Sequence, residues 1–414
     1  MIEAVNDSEQ FVYDICTKSF LSLWSYINPQ GKTPGKELCD VLVVCDPHVI
    51  VISVKDIQLK HTKDPSVDWQ RWQRRAIKDS IKQIKGAIRH LDRSEYVVQK
   101  DGSRGLKLPL ANERMYHRMA VAFGANNRQA PISMTTENND FYHILDEQSV
   151  HLLLRHLDTI SDFVNYLIDK TEFLSNTLVT VKGGEENLLA CYLHGNRQFP
   201  LTHDIANLGS DLWDAISQKP EFKAKLKKDD VSYTWDRLIE ALCNGEFVGE
   251  EWLGSDMSEA EVAIRVLVKE NRFSRRMLSN AFTEYLKLRR MENMDVRSVK
   301  SDNDVTYVFF AYENSSSPEE RKRMLLVRCF ASLCEFPGCF TVIGIGVSVA
   351  GLSLEEWELE ELVPLQTQHN QWSKEYLRKA KFYRAELSSN SYLTKTQIHD
   401  AEYPRPIPNT LKED

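Results

Sequence analysis

The chain has 414 residues, of which 42% are hydrophobic and 27% are charged, and its formal net charge is −8. These proportions are typical of a soluble globular protein of two or three domains, and they exclude collagen-like, disordered and coiled-coil chains. The longest uncharged apolar stretch, 340–352, is too short to span a membrane, and the N-terminus lacks the basic start and apolar run of a signal peptide. We therefore expect a cytoplasmic protein with no membrane partner.

The negative total charge argues against a general affinity for nucleic acid, so any nucleic-acid surface must be local. The eight cysteines form no CxxC pair and have no histidine at zinc-finger spacing. We expect them to be reduced, mostly buried thiols, which pack as small hydrophobes.

The N-terminal part of the chain predicts helices and strands in alternation. Asn6, Asp7 and Ser8 are good N-cap residues, and the apolar spacing after them predicts a helix over about 8–21. Two apolar strands, within 37–45 and 48–55, are joined by Asp46-Pro47. The other predicted elements are a short strand within 22–28, a helix over 69–93 that ends before the turn signal DGSRG, and strands over 115–124 and 141–146.

The remainder of the chain predicts a helical middle and a second α/β part. Helical spacing covers about 149–175, then segments around 211–219, 232–243 and 258–291. A parallel βαβ unit is predicted from the strand VTYVFFAY, a helix capped by Ser317 and the strand FTVIGIGVSV. A last helix covers about 371–388. We expect the tail after it, EYPRPIPNT, to be loose. The glycines of GIGVSVAG lie inside a predicted strand, which favours close packing over a phosphate loop. We predict an α/β protein with three regions, 1–147, 148–300 and 301–414.

The predicted hairpin brings a carboxylate and a lysine together. If Asp46-Pro47 is a two-residue turn, antiparallel partners sum to 93, so Cys45 faces His48 and Asp40 faces Ser53. Alternation along the strand then places Lys55 on the same face as Ser53, diagonal to Asp40.

This arrangement resembles the PD-(D/E)xK motif of the restriction-endonuclease-like nucleases, and the resemblance covers the first 125 to 147 residues. It implies that Asp40 is a metal ligand, that Lys55 positions or activates the attacking water, and that the carbonyl of Val54 ligates Mg²⁺ or Mn²⁺. Ser53 stands where the motif has an acidic residue. A carboxylate from Glu37 or Asp56 could replace it, but both have the opposite strand parity to Asp40 and would need a bulge.

Two further residues match the superfamily pattern. Glu9 lies on the apolar side of the first helix, where the pattern often has a glutamate facing the site, although a first-turn glutamate is also favoured by the helix dipole. Gln83 lies on the sheet-facing flank of the helix over 69–93, where many of these nucleases have a glutamine or lysine. The alternative for Asp40 and Lys55 is a structural ion pair, but burying both on an apolar face is costly.

The helix over 69–93 also carries a basic stripe. Eight basic and two acidic residues give it a net charge of +6. On an ideal α-helix, seven of the basic residues fall within a sector about 80° wide. These residues are Arg71, Arg75, Lys78, Lys82, Lys85, Arg89 and Arg93. The alternative is a solvated face, but such faces normally mix signs, so the stripe favours contact with phosphate groups.

Two functions remain open at this point. The first is a Mg²⁺- or Mn²⁺-dependent nuclease acting on nucleic acid, with DNA ahead of RNA, of the kind found in prokaryotic restriction and anti-phage defence. The second is a nuclease-like protein that has lost metal chemistry and binds nucleic acid or a partner as a sensor or scaffold. In either case we expect a homodimer or larger homo-oligomer, held mainly by residues after 148. Residues 1–147 by themselves should be monomeric. The C-terminal half could also bind a protein partner.

Overall fold

The computed structural model describes residues 6–33, 35–126, 128–200, 204–243, 257–292, 296–312, 316–349, 357–367, 371–388, 393–396 and 401–404. It is a mixed α/β structure with several sheets, and the chain divides into two compact units, Met1–Phe222 and Lys223–Asp414. The division does not coincide with the predicted boundaries after 147 and 300. No helix among the residues described is long and apolar enough to cross a membrane.

The first unit is built around a six-stranded sheet with the order β1-β2-β3-β6-β8-β7. Its elements in chain order are α1 (Asp7–Phe20), β1 (Ser25–Ile27), β2 (Val41–Cys45), β3 (His48–Asp56), α2 (Pro65–Gln73), a π turn (Arg74–Lys78), α3 (Asp79–Leu91), β4 (Tyr96–Val98), β5 (Arg104–Lys107), β6 (Met115–Phe123), β7 (Ser133–Thr135) and β8 (Phe141–Leu145). They continue with α4 (Glu147–His156), α5 (Ile160–Asn176), β9 (Leu178–Val181), α6 (Glu185–His194), β10 (Ile205–Leu208) and α7 (Leu212–Ser217).

The pairing of β2 with β3 confirms the predicted hairpin. Cys45 pairs with His48 and Val41 pairs with Ile52, so partners sum to 93 along the whole ladder. Strand β3 then pairs in parallel with β6, and β6 with β8. Residues in the middle of these strands are buried on both faces, which explains their almost continuous apolar sequences.

Several predicted helices have different bounds in the structure. The helix predicted over 69–93 begins at Pro65, where the carboxylate of Asp64 accepts hydrogen bonds from the first free backbone N–H groups. The helix predicted over 149–175 is two helices, because the backbone leaves helical geometry at Leu157 and the Thr159 hydroxyl caps α5. The segment predicted over 258–291 likewise divides between Val268 and Arg272.

Two small sheets were not predicted. Strands β4 and β5 form an antiparallel hairpin around the DGSRG turn. Strands β9 and β10 form a parallel pair inside the region predicted to be helical. Both pairs are short and partly exposed, so they lack the long alternating pattern by which strands are recognised in a sequence.

The second unit contains a five-stranded sheet with the order β14-β13-β12-β11-β15. Its elements are α8 (Pro220–Asp229), which begins just before the division, a 3₁₀ turn (Asp230–Ser232), α9 (Tyr233–Cys243), α10 (Met257–Val268), α11 (Arg272–Glu292), β11 (Val296–Lys300), β12 (Val305–Tyr312), α12 (Pro318–Ser332), β13 (Thr341–Val349), β14 (Trp357–Gln366), α13 (Lys374–Ser388) and β15 (Leu393–Thr396).

The predicted βαβ unit is confirmed, because β12 and β13 are parallel and α12 joins them. Ser317 caps α12 through the backbone N–H of Glu320. The close packing predicted for the glycines of β13 is also present, since a Cβ atom at Gly344 would lie 2.4 Å from Cys329 Sγ. The eight cysteines are free thiols, as expected. Most of the tail EYPRPIPNT lies outside the described residues.

Candidate active site

The candidate site lies where β2 begins and β3 continues past it. Asp40 directly precedes β2, and its backbone N–H donates to the Ile52 carbonyl at 3.2 Å. This bond lies outside the regular ladder, whose partners sum to 93, and it joins Asp40 to β3 beside Ser53, whose hydroxyl oxygen is 3.2 Å from Asp40 Oδ2. Asp40 and Ser53 are both buried, whereas the Lys55 side chain keeps 29% of its surface exposed. The lysine is therefore the member of the cluster that solvent reaches most easily.

The Asp40 carboxylate is surrounded by hydrogen-bond donors. Its Oδ2 atom accepts from the backbone N–H of Val54 at 2.5 Å and lies 3.4 Å from Lys55 Nζ. Its Oδ1 atom accepts from Gln83 Nε2 on α3 at 2.9 Å. The predicted convergence of Asp40, Lys55 and Gln83 is thus what the structure has, and the Val54 backbone faces the same carboxylate. These bonds stabilise the charged form of a buried carboxylate.

Ser53 ties the cluster together without adding charge. Its hydroxyl oxygen lies 2.8 Å from Gln83 Oε1 and 3.2 Å from Asp40 Oδ2. Both neighbours are acceptors and a hydroxyl has one proton, so the shorter contact to Gln83 takes the proton. Ser53 therefore orients the Gln83 amide, which in turn donates to Asp40, at the position where the motif would have a second carboxylate.

Two further carboxylates lie near Asp40. Glu9, in the first turn of α1, is buried and accepts a hydrogen bond from Asn6 Nδ2 at 2.7 Å. The pKa of Glu37 is raised by partial burial and then by the negative charges of Glu9 and Asp40. Glu37 lies in the segment before β2, with a single bridge to Gln30, so strand parity does not govern its direction and no bulge is needed. The other alternative, Asp56, instead accepts from the Ser8 hydroxyl at 2.6 Å.

The donor set suits a hard divalent cation in type, because it consists of carboxylate oxygens with a backbone carbonyl nearby. The negative charges of Glu9 and Asp40 contribute to the raised pKa of Glu37, and a bound cation would relieve this repulsion. Among the residues described, no three metal-ligating side chains converge into a preformed cage.

The basic helix presents most of its charge to solvent. All of the seven stripe residues except the half-buried Lys85 are exposed. The prediction of one continuous sector about 80° wide is wrong, however, because it assumed an uninterrupted α-helix. The π turn at Arg74–Lys78 inserts an extra residue into one turn, so the residues before and after it are rotated relative to each other. The stripe is therefore divided into an early and a late part.

The structure brings together four of the predicted site residues, Asp40, Val54, Lys55 and Gln83, and places Glu9 within electrostatic range of them through Glu37. The role of Ser53 as a link was not predicted, because its hydrogen bonds depend on a helix 30 residues further along the chain. Comparisons with protein-family models, with curated proteins and with solved structures found no match. Function is therefore inferred from the chemistry of the site.

Proposed function

We propose that this protein is a Mg²⁺- or Mn²⁺-dependent nuclease whose active site is centred on Asp40 and Lys55. The observation that carries the proposal is the buried Asp40 carboxylate, held by Lys55 from β3 and by Gln83 from a strongly basic helix. A structural ion pair alone would not need a third polar group contributed by that helix. Burying the Asp40 carboxylate against an apolar sheet, with Lys55 and Gln83 partly buried around it, is costly unless the site has a function.

The order of the elements around the site supports a nuclease-like core. Helix α1 is followed by the antiparallel β2-β3 hairpin, then by the basic α2-α3 helix, and then by β6, which adds to β3 in parallel. This is the order of helix, hairpin, helix and strand that the resemblance to the restriction-endonuclease-like superfamily implies. The resemblance implies site roles for Asp40, Lys55 and Gln83, and the contacts among these three side chains support that interpretation.

Each residue would have a separate task in phosphodiester hydrolysis. Asp40, with Glu9 and the Val54 carbonyl, would hold the cation, which neutralises charge on the scissile phosphate and lowers the pKa of a bound water. Lys55, which is partly exposed beside Asp40, would donate to the attacking water or to the phosphate oxygen. Gln83 keeps the Asp40 carboxylate oriented and is itself oriented by Ser53.

A second function, nucleic-acid binding without cleavage, is favoured by one observation. Both oxygens of Asp40 are already engaged by protein donors, and the residue opposite is a neutral serine. A cation would have to compete with Lys55 or Gln83 for this carboxylate. In a site that has lost its metal chemistry, no such competition takes place.

Cleavage assays separate the two functions. Labelled single- and double-stranded DNA and RNA are incubated with the full-length protein in Mg²⁺, in Mn²⁺ and in EDTA. We expect cleavage only with metal, and its loss in Asp40→Asn and in Lys55→Ala. The matched controls are Asp14→Asn and Lys18→Ala, whose side chains are exposed on α1. Cleavage that survives in either site variant, or in EDTA, contradicts the nuclease proposal, whereas tight binding with no cleavage in any metal supports the second function.

A further inference from the structure

Two cavities lie at opposite ends of the basic helix. The first, of about 180 Å³, lies at the carboxyl end of β3, and its charged lining residues are Lys60, Asp68, Arg71, Arg74 and Arg75. The second, of about 330 Å³, is lined by Lys85 and Arg89 from α3, by Arg118 from β6, and by Asp140 and Tyr142. Both therefore combine side chains of the stripe with basic residues that lie outside it.

The first cavity has an excess of positive charge. Among the residues described, none of its four basic side chains forms an ion pair within 4 Å, although the positive charge of Arg71 contributes to the lowered pKa of Asp64 and of Asp68. The single acidic residue, Asp68, already accepts from the backbone N–H and the hydroxyl of Thr62, at 2.6 and 2.9 Å. Trp72, which forms part of the wall, donates its indole N–H to the Ile57 carbonyl. Asp68 and Trp72 thus have hydrogen-bond partners within the protein, and the four basic side chains can bind an anion.

The second cavity shares the sheet face of the candidate active site. Arg118 pairs with Val51 across β3 and β6, two residues before the Ser53–Ala120 pair, so Arg118 and Ser53 point to the same side. Arg118 is held by Asp140 at 3.0 Å. Lys85 and Arg89 have no carboxylate partner in the described part of the chain. The cavity therefore has one fixed arginine and two available cations.

The stretch of helix that carries Lys78 and Lys82 separates the two cavities. Arg71 and Lys85 are 14 residues apart, which corresponds to about 20 Å along a helix. Lys78 and Lys82 lie between them, are exposed, and do not belong to the lining of either cavity. The basic stripe is thus organised as two concave sites with a convex stretch of helix between them.

We propose that the two cavities each bind one phosphate group of the same nucleic-acid ligand, with the two phosphates about 20 Å apart. This rests on the proposed nucleic-acid function. Arginine and lysine clusters are the usual protein ligands of phosphate, and several cations that line one cavity can contact the same phosphate group, which an isolated lysine cannot. Measured along the axis of a duplex, at 3.4 Å per step, a spacing of about 20 Å corresponds to about six base-pair steps.

The test compares three pairs of substitutions in the full-length protein, each of which removes two positive charges. They are Arg71→Gln with Arg74→Gln in the first cavity, Lys85→Gln with Arg89→Gln in the second, and Lys78→Gln with Lys82→Gln as the matched control between them. Binding of a labelled dinucleotide and of labelled duplexes of 8 to 20 base pairs is measured by fluorescence anisotropy in EDTA at fixed salt. All six side chains lie at the surface, and thermal unfolding verifies that each variant is folded.

On duplexes longer than about six base pairs, we expect each cavity pair to weaken binding about tenfold or more, and the control pair to weaken it less than threefold. On the dinucleotide, which is too short to reach both cavities at once, either cavity pair alone should cost about twofold. Equal losses from all three pairs, or losses as large on the dinucleotide as on the duplexes, would overturn the proposal in favour of an undivided charged face. Because binding is measured without metal, this outcome is independent of whether the protein cleaves its ligand.

Discussion

Asp40 is the residue on which the candidate site depends, and its buried carboxylate is held by several hydrogen-bond donors. A carboxylate buried in a sheet is stable only when donors replace its hydration shell. Here these donors come from three places in the chain: the backbone of Val54, the Lys55 side chain and the Gln83 side chain. The arrangement is therefore sensitive to the loss of any one of them, and Gln83 is the donor contributed by the basic helix.

We expect Gln83→Ala to lower the free energy of unfolding of the first unit by about 1–3 kcal/mol, because it removes the donor to Asp40 Oδ1, an oxygen of a buried carboxylate. Cleavage should fall as well, since Asp40 loses its orienting donor. Urea unfolding and the cleavage assay measure the two effects. Gln70→Ala, at an exposed position of α2, is the matched control and should change stability by less than about 0.5 kcal/mol. Equal changes in the free energy of unfolding of the two variants would show that the Gln83 contacts do not stabilise the first unit.

His117 makes the first unit sensitive to acid. Burial, followed by the nearby charges of His48 and Arg118, lowers the pKa of His117 from 6.5 to about 3, and its Nε2 atom lies 3.1 Å from His48 Nδ1. The folded state therefore binds fewer protons at this residue than the unfolded state below pH 6.5. Its stabilising contribution is complete above pH 6.5 and is lost progressively as the pH falls toward 3.

We expect His117→Gln to reduce the dependence of stability on pH by about 1.4 kcal/mol per pH unit between pH 6 and pH 4. Urea unfolding of the variant and the unchanged protein across this range measures the two slopes. The pKa of His143 is also lowered by burial, so the variant should keep part of the pH dependence. Parallel slopes would mean that His117 is protonated in the folded protein.

At the scale of secondary structure elements, β13 shows how glycine allows a helix to approach a sheet. The side chain of Cys329 on α12 lies where the Cβ atom of any other residue at Gly344 would be. We expect Gly344→Ala to destabilise the second unit by about 1–3 kcal/mol through overpacking, measured by chemical denaturation. Leu325 Cγ would lie 3.0 Å from the same Cβ atom, so in the double variant with Cys329→Ala, which removes the sulfur, the effect of Gly344→Ala should be smaller but should not vanish. A penalty that is the same in both backgrounds would assign the cost to Leu325 or to the backbone of β13 instead.

The elements also show what the sequence can and cannot reveal. The β2-β3 register is predictable because a two-residue turn fixes every pair, and this alone places Lys55 beside Asp40. The N-cap at Asp64 is also legible in the sequence, as an aspartate directly before a proline. The π turn cannot be read in this way, since it reflects how the helix fits the sheet on both sides of the turn. The parity argument fails for Glu37, because this residue lies outside the strand.

At the scale of the whole chain, the first unit is larger than the nuclease-like region predicted from the sequence. The Ser19 hydroxyl donates to the Leu154 carbonyl, the ring of Phe20 packs on Phe163, and Lys170 donates to the Ile132 carbonyl. Residues after 147 thus complete the core around α1 and β8. The predicted monomeric fragment 1–147 would lack these contacts.

We expect the fragment 1–222 to unfold cooperatively and the fragment 1–147 to be unfolded or aggregated, because the shorter one exposes the apolar surface of α1. Circular dichroism with urea titration distinguishes them. A stable, cooperatively unfolding 1–147 would show that α4 and α5 are dispensable for the core.

The oligomeric state stays a prediction, and we expect a homodimer or larger assembly that depends on residues after 148. Light scattering on the full-length protein and on the fragment 1–222 measures the mass of each. A monomeric full-length protein would contradict the prediction.

The central claim is that Asp40 anchors the divalent cation of a nuclease, and the anomalous scattering of Mn²⁺ in crystals of the full-length protein tests it most directly. We expect one peak about 2.1 Å from an Asp40 carboxylate oxygen, in reach of Glu9 and the Val54 carbonyl, with Lys55 or Gln83 displaced from that oxygen. The claim is contradicted if Mn²⁺, at a concentration that saturates any cleavage activity, leaves Asp40 bonded only to Val54, Lys55 and Gln83.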